Sequence, residues 1–184
     1  MNRRTILLAA AAAATSRAAI AQPSQGPAPT PVQSGALPQM SGTEQAYASQ
    51  TAATGGASLQ MADLALRKAH HARVREFARF EHDEQTTASE VLKSIDPTLN
   101  PPNPPSDVAA ALEKLRQARP GAAFDREFVT AQIQGHEKLK TIQEDCLKSG
   151  KDQPFVNTAR LVLTVINEHL ALLNDLRSEH TTAL

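Results

Sequence analysis

Five polar side chains stand at positions where the amphipathic pattern of this chain predicts a dry helical core. Glu81 and Glu84 lie on one apolar stripe, Gln132 and His136 lie on a second, and His169 lies on a third. A carboxylate or imidazole that faces a core must find a hydrogen-bond partner or a metal ion, because burying it alone is costly. We therefore expect any polar network or metal site in this protein to involve these residues.

A metal bound between helices is one interpretation of this set. Its ligands would be Glu81, Glu84, His136 and His169, two carboxylates and two imidazoles. The two glutamates are one helical turn apart and project from nearly the same face. By ligand type alone the set suits zinc, iron, manganese or copper. Asp63, on the preceding helix, is a candidate for a further oxygen ligand.

A polar layer without a metal is the other interpretation, and the sequence favours it. A buried histidine can bond to a carboxylate or glutamine across an interface, and such contacts fix helix register. Di-iron bundles carry Glu-x-x-His on two helices. This motif occurs nowhere in the sequence, and isoleucine stands three residues before both His136 and His169. We therefore expect no cofactor, with a transition metal only under the first interpretation.

Other residues with potential chemistry point to no catalytic site. The sequence has no glycine-rich phosphate loop, no Gly-x-Ser-x-Gly elbow and no Cys-x-x-Cys pair. The single cysteine, Cys146, falls on an apolar stripe and is expected to be a buried free thiol. The basic residues within 67–73 are expected to form a solvated helix end, with contact to an anion or lipid headgroup as the alternative.

Residues 1–21 have the features of an export signal. Arg3 and Arg4 precede a short, alanine-rich apolar run, and Ala19-Ile20-Ala21 supplies a small-residue cleavage site. The arginine pair fits the twin-arginine route as well as the general route. Either route predicts a mature protein in the periplasm, free or associated with the envelope.

The mature chain is expected to begin with a disordered tether. Residues 22–42 are rich in Pro, Gly, Ser and Gln, and the helical domain is expected over residues 43–180. Without the signal the chain keeps 19 acidic residues but loses three of its 19 basic ones, and it has no Trp. A mildly acidic chain with few aromatic rings argues against nucleic acid as a partner.

Four long helices and one short helix account for the folded domain. Apolar residues recur at three- and four-residue spacing over about 41–68, 72–95, 124–148 and 154–178, and a short helix is predicted over 107–118. Ser41 and Glu44 have capping-box spacing at the first helix. Ser106 is expected to cap the short helix. No segment alternates convincingly with period two, so we expect no sheet.

Connection lengths predict how these helices are arranged. The first and second long helices, and likewise the third and fourth, are joined by a few residues, so each pair should be an antiparallel hairpin. The proline-rich stretch 97–105 and the short helix are long enough to run the length of the bundle. We therefore predict an all-α, ferritin-like four-helix bundle of two antiparallel hairpins, with a short extra helix in the long crossover.

Short stretches across nearly the whole domain resemble one bacterial exported family. They include Phe77-Ala-Arg-Phe-Glu81 with Glu84-Gln-Thr-Thr87, then Gln134-Gly-His136, and Glu168-His-Leu-Ala-Leu-Leu173. The family is the domain of unknown function numbered 4142, whose members are often labelled outer-membrane proteins. The resemblance implies a ferritin-like bundle in the periplasm and supplies no established activity. Many members carry an Asp-His pair where this chain has Glu84-Gln85.

The predicted function is an exported helical bundle with a non-enzymatic binding or envelope-associated role. A metal-binding or redox ferritin-like protein, with its site between helices, is the alternative. We expect no nucleic-acid partner and no transmembrane span in the mature chain, because its apolar stretches are amphipathic. A homo-oligomer and a cell-envelope partner both stay open.

Overall fold

The computed structural model describes residues 41–182, with side chains described up to residue 179. This part of the chain forms five helices and no strand: α1 Gly42–Lys68, α2 Ala72–Ile95, α3 Ser106–Gln117, α4 Ala122–Ser149 and α5 Gln153–Thr182. The predicted helical fold class is confirmed. The predicted export signal and most of the predicted tether lie outside the described residues. No helix in residues 41–182 is long and apolar enough to cross a membrane.

Two hydrophobic clusters at opposite ends of the bundle fix the directions of the long helices. One end contains residues from the start of α1 and α5 and from the end of α2 and α4: Tyr47, Phe155, Leu92 and Cys146. The other end joins the end of α1 and α5 to the start of α2 and α4: Ala65, Leu176, Phe77 and Phe124. Hence α1 and α2 are antiparallel, α4 and α5 are antiparallel, and α2 runs parallel to α4, as predicted.

The crossover helix α3 packs over the seam between α1 and α4. It runs antiparallel to α4, because Lys138 pairs with Asp107 at 3.0 Å near one end and Lys114 pairs with Glu127 at 2.6 Å near the other. At the C-terminal end of α3, the ammonium of Lys68 donates to the carbonyls of Leu115, Arg116 and Ala118. Lys68 therefore departs from the prediction that this basic cluster is solvated, because it caps the end of α3.

The predicted caps are only partly correct. Ser41 does cap α1 by accepting a hydrogen bond from the amide of Thr43 at 3.3 Å. Ser106 does not cap α3, because it is already the first helical residue and Pro105 occupies the cap position. Proline suits that position, since it has no amide hydrogen to satisfy and its fixed φ leads into the helix.

Each hairpin turn is held by a buried carboxylate from the other hairpin. Glu44, on α1, accepts hydrogen bonds from the amides of Lys151 and Asp152 in the α4–α5 turn. Asp125, on α4, accepts from the amides of His70 and His71 in the α1–α2 turn, at 3.0 and 2.8 Å. Glu44 therefore does not make the reciprocal bond of the predicted capping box. Instead its carboxylate satisfies turn amides that would otherwise be buried without a partner.

Helix α1 passes unbroken through Gly55-Gly56, and Gly55 faces Gln85 of α2. A Cβ atom at Gly55 would overlap the side-chain oxygen of Gln85. The glycine therefore leaves room for the side chain of Gln85.

The seam between α2 and α5 is less closely packed than the other three seams between the long helices, and no helix in the described part of the chain covers it. Val91 and Leu172 continue the three- and four-residue apolar spacing of these two helices, which predicts a core position for both, yet they are 37% and 39% exposed. Phe80 and Leu161 are exposed on the same two helices. That prediction was wrong at Val91 and Leu172, because few residues of α2 and α5 meet across this seam to bury them.

Candidate metal centre

Three of the predicted polar residues meet in the middle of the bundle, each brought by a different helix. Glu81 comes from α2, His136 from α4 and His169 from α5, and all three are buried. Each lies within a long helix and has a buried apolar neighbour one turn away on the same face, respectively Ala78, Leu139 and Ile166. The helical period that buries those neighbours forces the polar side chain inward with them.

The donor atoms of these residues form a nearly equilateral triangle. Oε2 of Glu81 lies 3.2 Å from Nε2 of His136 and 3.1 Å from Nδ1 of His169. The two imidazole nitrogens are 3.2 Å apart. In a tetrahedral zinc site with bonds of about 2.0–2.1 Å, ligand atoms stand about 3.3–3.4 Å apart. The triangle therefore fits one small divalent ion with only slight adjustment.

Groups around the triangle fix the orientation of His136. Its Nδ1 lies 2.8 Å from the backbone carbonyl of Gln132, one turn earlier. A carbonyl only accepts, so Nδ1 carries the proton and Nε2 faces Glu81 and His169. A carbonyl partner of this kind is typical of imidazoles that bind metals. Separately, the side chain of Gln132 accepts a hydrogen bond from the hydroxyl of Ser58 on α1 at 2.5 Å, which ties α4 to α1 at this level.

Phe77 closes the same level of the bundle with an aromatic ring. Its ring centroid lies 5.0 Å from that of His169 in an edge arrangement and 6.1 Å from that of His136. An apolar wall at this distance lowers the local polarity and strengthens every charge interaction inside.

The electrostatics of the cluster are those of a buried ion pair. Burial raises the pKa of Glu81, but the positive charge of His136 and hydrogen bonds from His136 and His169 outweigh it, so the net pKa lies below its ordinary value. For His136, burial lowers the pKa, yet the charge of Glu81 and its hydrogen bond raise the net pKa above the usual range. Glu81 is therefore ionised and His136 takes up a proton readily when no cation neutralises the carboxylate.

Glu84 lies beside the triangle. Its Oε2 is 3.1 Å from Nδ1 of His169, but neither of its oxygens has a hydrogen-bond partner among the described residues. Burial first, and then the negative charge of Glu81, raise the pKa of Glu84 to about 7. Buried carboxylate oxygens without donors are uncommon and call for a proton, a water or a cation.

The structure thus brings together Glu81, Glu84, His136 and His169, the four residues that the sequence singled out. Asp63 does not join them, since its carboxylate lies 3.7 Å from the partly exposed His82 instead. The structure therefore does not place Asp63 among the possible ligands. Sequence reasoning missed Ser58, because its role depends on which residue of α4 lies opposite, and no local pattern carries that register.

Fold and site together define a helical-bundle domain with a buried His-His-Glu cluster. The profile of the domain of unknown function DUF4142 matches residues 29–176 of this chain. The chain therefore belongs to that family, as the sequence resemblance indicated.

Two solved structures share the fold. One is a DUF305 protein from Streptomyces coelicolor described as secreted, with a TM-score of 0.66 and 13% identity over 76% of this chain and 92% of that one. The other is a DUF305 fragment from Deinococcus radiodurans, with a TM-score of 0.68 and 14% identity over 77% of this chain and 99% of that one. At this identity the likeness concerns the fold alone. No curated protein is significantly similar to this chain.

Proposed function

We propose that this domain is an exported metal-binding module that holds one divalent transition-metal ion through Glu81, His136 and His169. The observation that carries the proposal is the triangle of buried donor atoms, with sides of 3.1–3.2 Å. Two imidazoles and one carboxylate are a donor set that suits zinc and iron(II). Export to the periplasm rests on the predicted signal in residues 1–21 and agrees with the description of one structural neighbour as secreted.

A divalent cation at the cluster would compete with a proton. A metal at the triangle would neutralise Glu81 and take the lone pair of His136 that otherwise binds a proton. Binding should therefore release protons, and the heat of binding should depend on the ionisation heat of the buffer. Three protein ligands also leave a coordination position free. Glu84 lies beside the cluster, and its side chain is 15% exposed.

The polar layer favoured by the sequence uses the same side chains and predicts a different behaviour. In that case the Glu81–His136 ion pair fixes the register of α2 against α4, and the domain takes up no metal. The two functions are separated by measuring metal content rather than by any feature of the fold.

The direct test is elemental analysis of protein matured in the periplasm of its native host. We expect about one equivalent of a transition metal per chain and a thermal shift when zinc is added to chelated protein. His136→Ala and His169→Ala should abolish both. His82→Ala is the matched control, because His82 is a partly exposed histidine on α2 outside the cluster.

The result is interpretable even if a histidine variant folds poorly. Glu81→Gln keeps the size of the side chain but removes its charge, and circular dichroism reports whether the helices persist. Metal-free protein from the native host that also gives no shift with zinc, iron, manganese or copper would refute the metal proposal and leave the polar layer.

A further inference from the structure

Two carboxylates lie at the level of the proposed metal site, although only one of them belongs to the triangle. Oε2 of Glu81 and Oε2 of Glu84 each lie 3.1 Å from Nδ1 of His169. Both oxygens of Glu84 are buried. Because Nδ1 of His169 carries at most one proton, it cannot donate fully to both carboxylates. The two acids therefore bring more negative charge to this level than His169 alone can balance.

The two histidines are the positive partners of these acids in the part of the chain that the structure describes. Glu81 forms ion pairs with His136 and His169, and Glu84 forms an ion pair with His169. No lysine or arginine among the described residues lies within ion-pair distance of either carboxylate. Burial raises the pKa of Glu84 most, the charge of Glu81 raises it further, and the two imidazoles lower it.

A metal ion at the triangle would change this balance. An imidazole is neutral when it binds a metal, because its lone pair then serves the metal instead of a proton. The two histidines would therefore contribute no charge, and the ion itself must balance Glu81 and Glu84. A doubly charged ion leaves the site neutral, whereas a singly charged ion leaves one buried negative charge without compensation, which is unfavourable.

We propose that Glu84 makes the metal site selective for doubly charged ions, by supplying a second negative charge beside the triangle. The inference rests on the proposed function, since it needs an ion bound by the three triangle residues. Glu84 is not one of those ligands, because it lies outside the set whose donor atoms are all within 4.8 Å of one another. It acts on the ion through its charge.

Coulomb's law gives this role a signature that a purely structural role lacks. The interaction energy of two charges is proportional to their product. Removing the charge of Glu84 should therefore weaken the binding free energy of a divalent ion about twice as much as that of a monovalent ion. A variant that merely disturbs the packing of the site should weaken both ions alike.

The test compares cadmium(II) with silver(I), two ions that share an electron configuration and differ mainly in charge. Calorimetric titration of the metal-free full chain at pH 8, in chloride-free buffer, measures both affinities. All proteins carry Cys146→Ala, because a free thiol binds both ions. Glu84→Gln should weaken silver(I) about tenfold and cadmium(II) about a hundredfold, since the loss on a logarithmic scale doubles with the charge of the ion.

Two further variants separate charge from shape. Glu84→Asp keeps the charge on a shorter side chain, so the ratio of the two affinities should stay within about threefold of that of the Cys146→Ala parent. Asp83→Asn removes a charge from a neighbouring side chain that is 84% exposed, where water and salt screen it. It should change neither affinity by more than about threefold. Circular dichroism of each variant reports whether the helices persist.

An equal loss of both ions in Glu84→Gln, or no loss of cadmium(II), would overturn the inference and leave the metal site standing, because the parent protein still binds. A ratio that changes as much in Glu84→Asp as in Glu84→Gln would also overturn it, because shape and not charge would then set the preference. If the parent protein binds neither ion, the metal site is refuted and the inference with it.

Discussion

Replacing Glu84 by glutamine should make the metal-free protein more stable, and the gain should depend on pH. Burial and the charge of Glu81 raise the pKa of Glu84 from 4.5 to about 7. The unfolded chain ionises this carboxyl near pH 4.5, but the folded chain keeps it protonated until about pH 7. Ionisation therefore opposes folding, and the stability that the neutral form allows is lost as pH rises from 4.5 through 7.

The size of the effect follows from the two pKa values. Raising the pKa of a carboxyl from 4.5 to about 7 costs the ionised folded state about 3 kcal/mol. Glu84→Gln removes this cost, so we expect a gain of up to about 3 kcal/mol at pH 8 and less than about 1 kcal/mol at pH 5. With a urea dependence of about 1–3 kcal/mol per molar, the unfolding midpoint at pH 8 should rise by about 1 M or more.

Urea denaturation of chelated protein, followed by circular dichroism at both pH values, measures this difference. Asp83→Asn, one residue away and exposed, is the control and should stay within about 0.5 kcal/mol of wild type. A Glu84→Gln protein that is less stable than wild type at pH 8, or a gain equal at pH 5 and pH 8, would refute the reasoning.

Three further predictions follow from contacts outside the cluster. Glu44→Ala should lose about 3 kcal/mol at pH 7, because the α4–α5 turn loses its charged acceptor. The Ser41 hydroxyl and the turn amides hold the pKa of Glu44 at about 2, so this stabilisation is present above pH 4.5 and the loss, read from urea unfolding, should shrink as pH falls toward 2. Gly55→Ala should stabilise a Gln85→Ala background by about 1 kcal/mol and should be less favourable in the wild type, since the side chain of Gln85 must move to admit the methyl group of the better helix former; an equal effect in both backgrounds would contradict this. The Cys146 thiol is buried and burial raises its pKa, so a thiol reagent should label it far more slowly in buffer than in urea; comparable rates would place it at the surface.

Most of the fold was predictable because its signals are local. Helical periodicity located five helices, and the predicted second helix, 72–95, matches α2. Connection lengths then fixed which helices are antiparallel, since a turn such as 69–71 is too short for any other arrangement. The polar members of the cluster were visible for the same reason: an acid or imidazole on an apolar stripe breaks a pattern that the sequence otherwise keeps.

The remaining features depend on which residues face each other across helices, and no local pattern carries that register. Ser58 matters only because α4 places Gln132 opposite it. Lys68 caps α3 because the C-terminal end of α3 lies beside the end of α1. Val91 is exposed because α2 and α5 pack loosely against each other. The choice between a metal and a polar layer does not follow from the sequence either, since both use the same side chains.

The two carboxylates that cross between hairpins make each half of the molecule depend on the other. The α1–α2 loop has its amides satisfied by Asp125, and the α4–α5 loop has its amides satisfied by Glu44. The amides of each turn therefore gain these acceptors only when the other hairpin docks. Separating the two hairpins would remove the acceptors from both turns at once, and it would also separate His136 and His169 from Glu81. Amide exchange at these two bends should therefore report the same opening event, although they lie at opposite ends of the bundle.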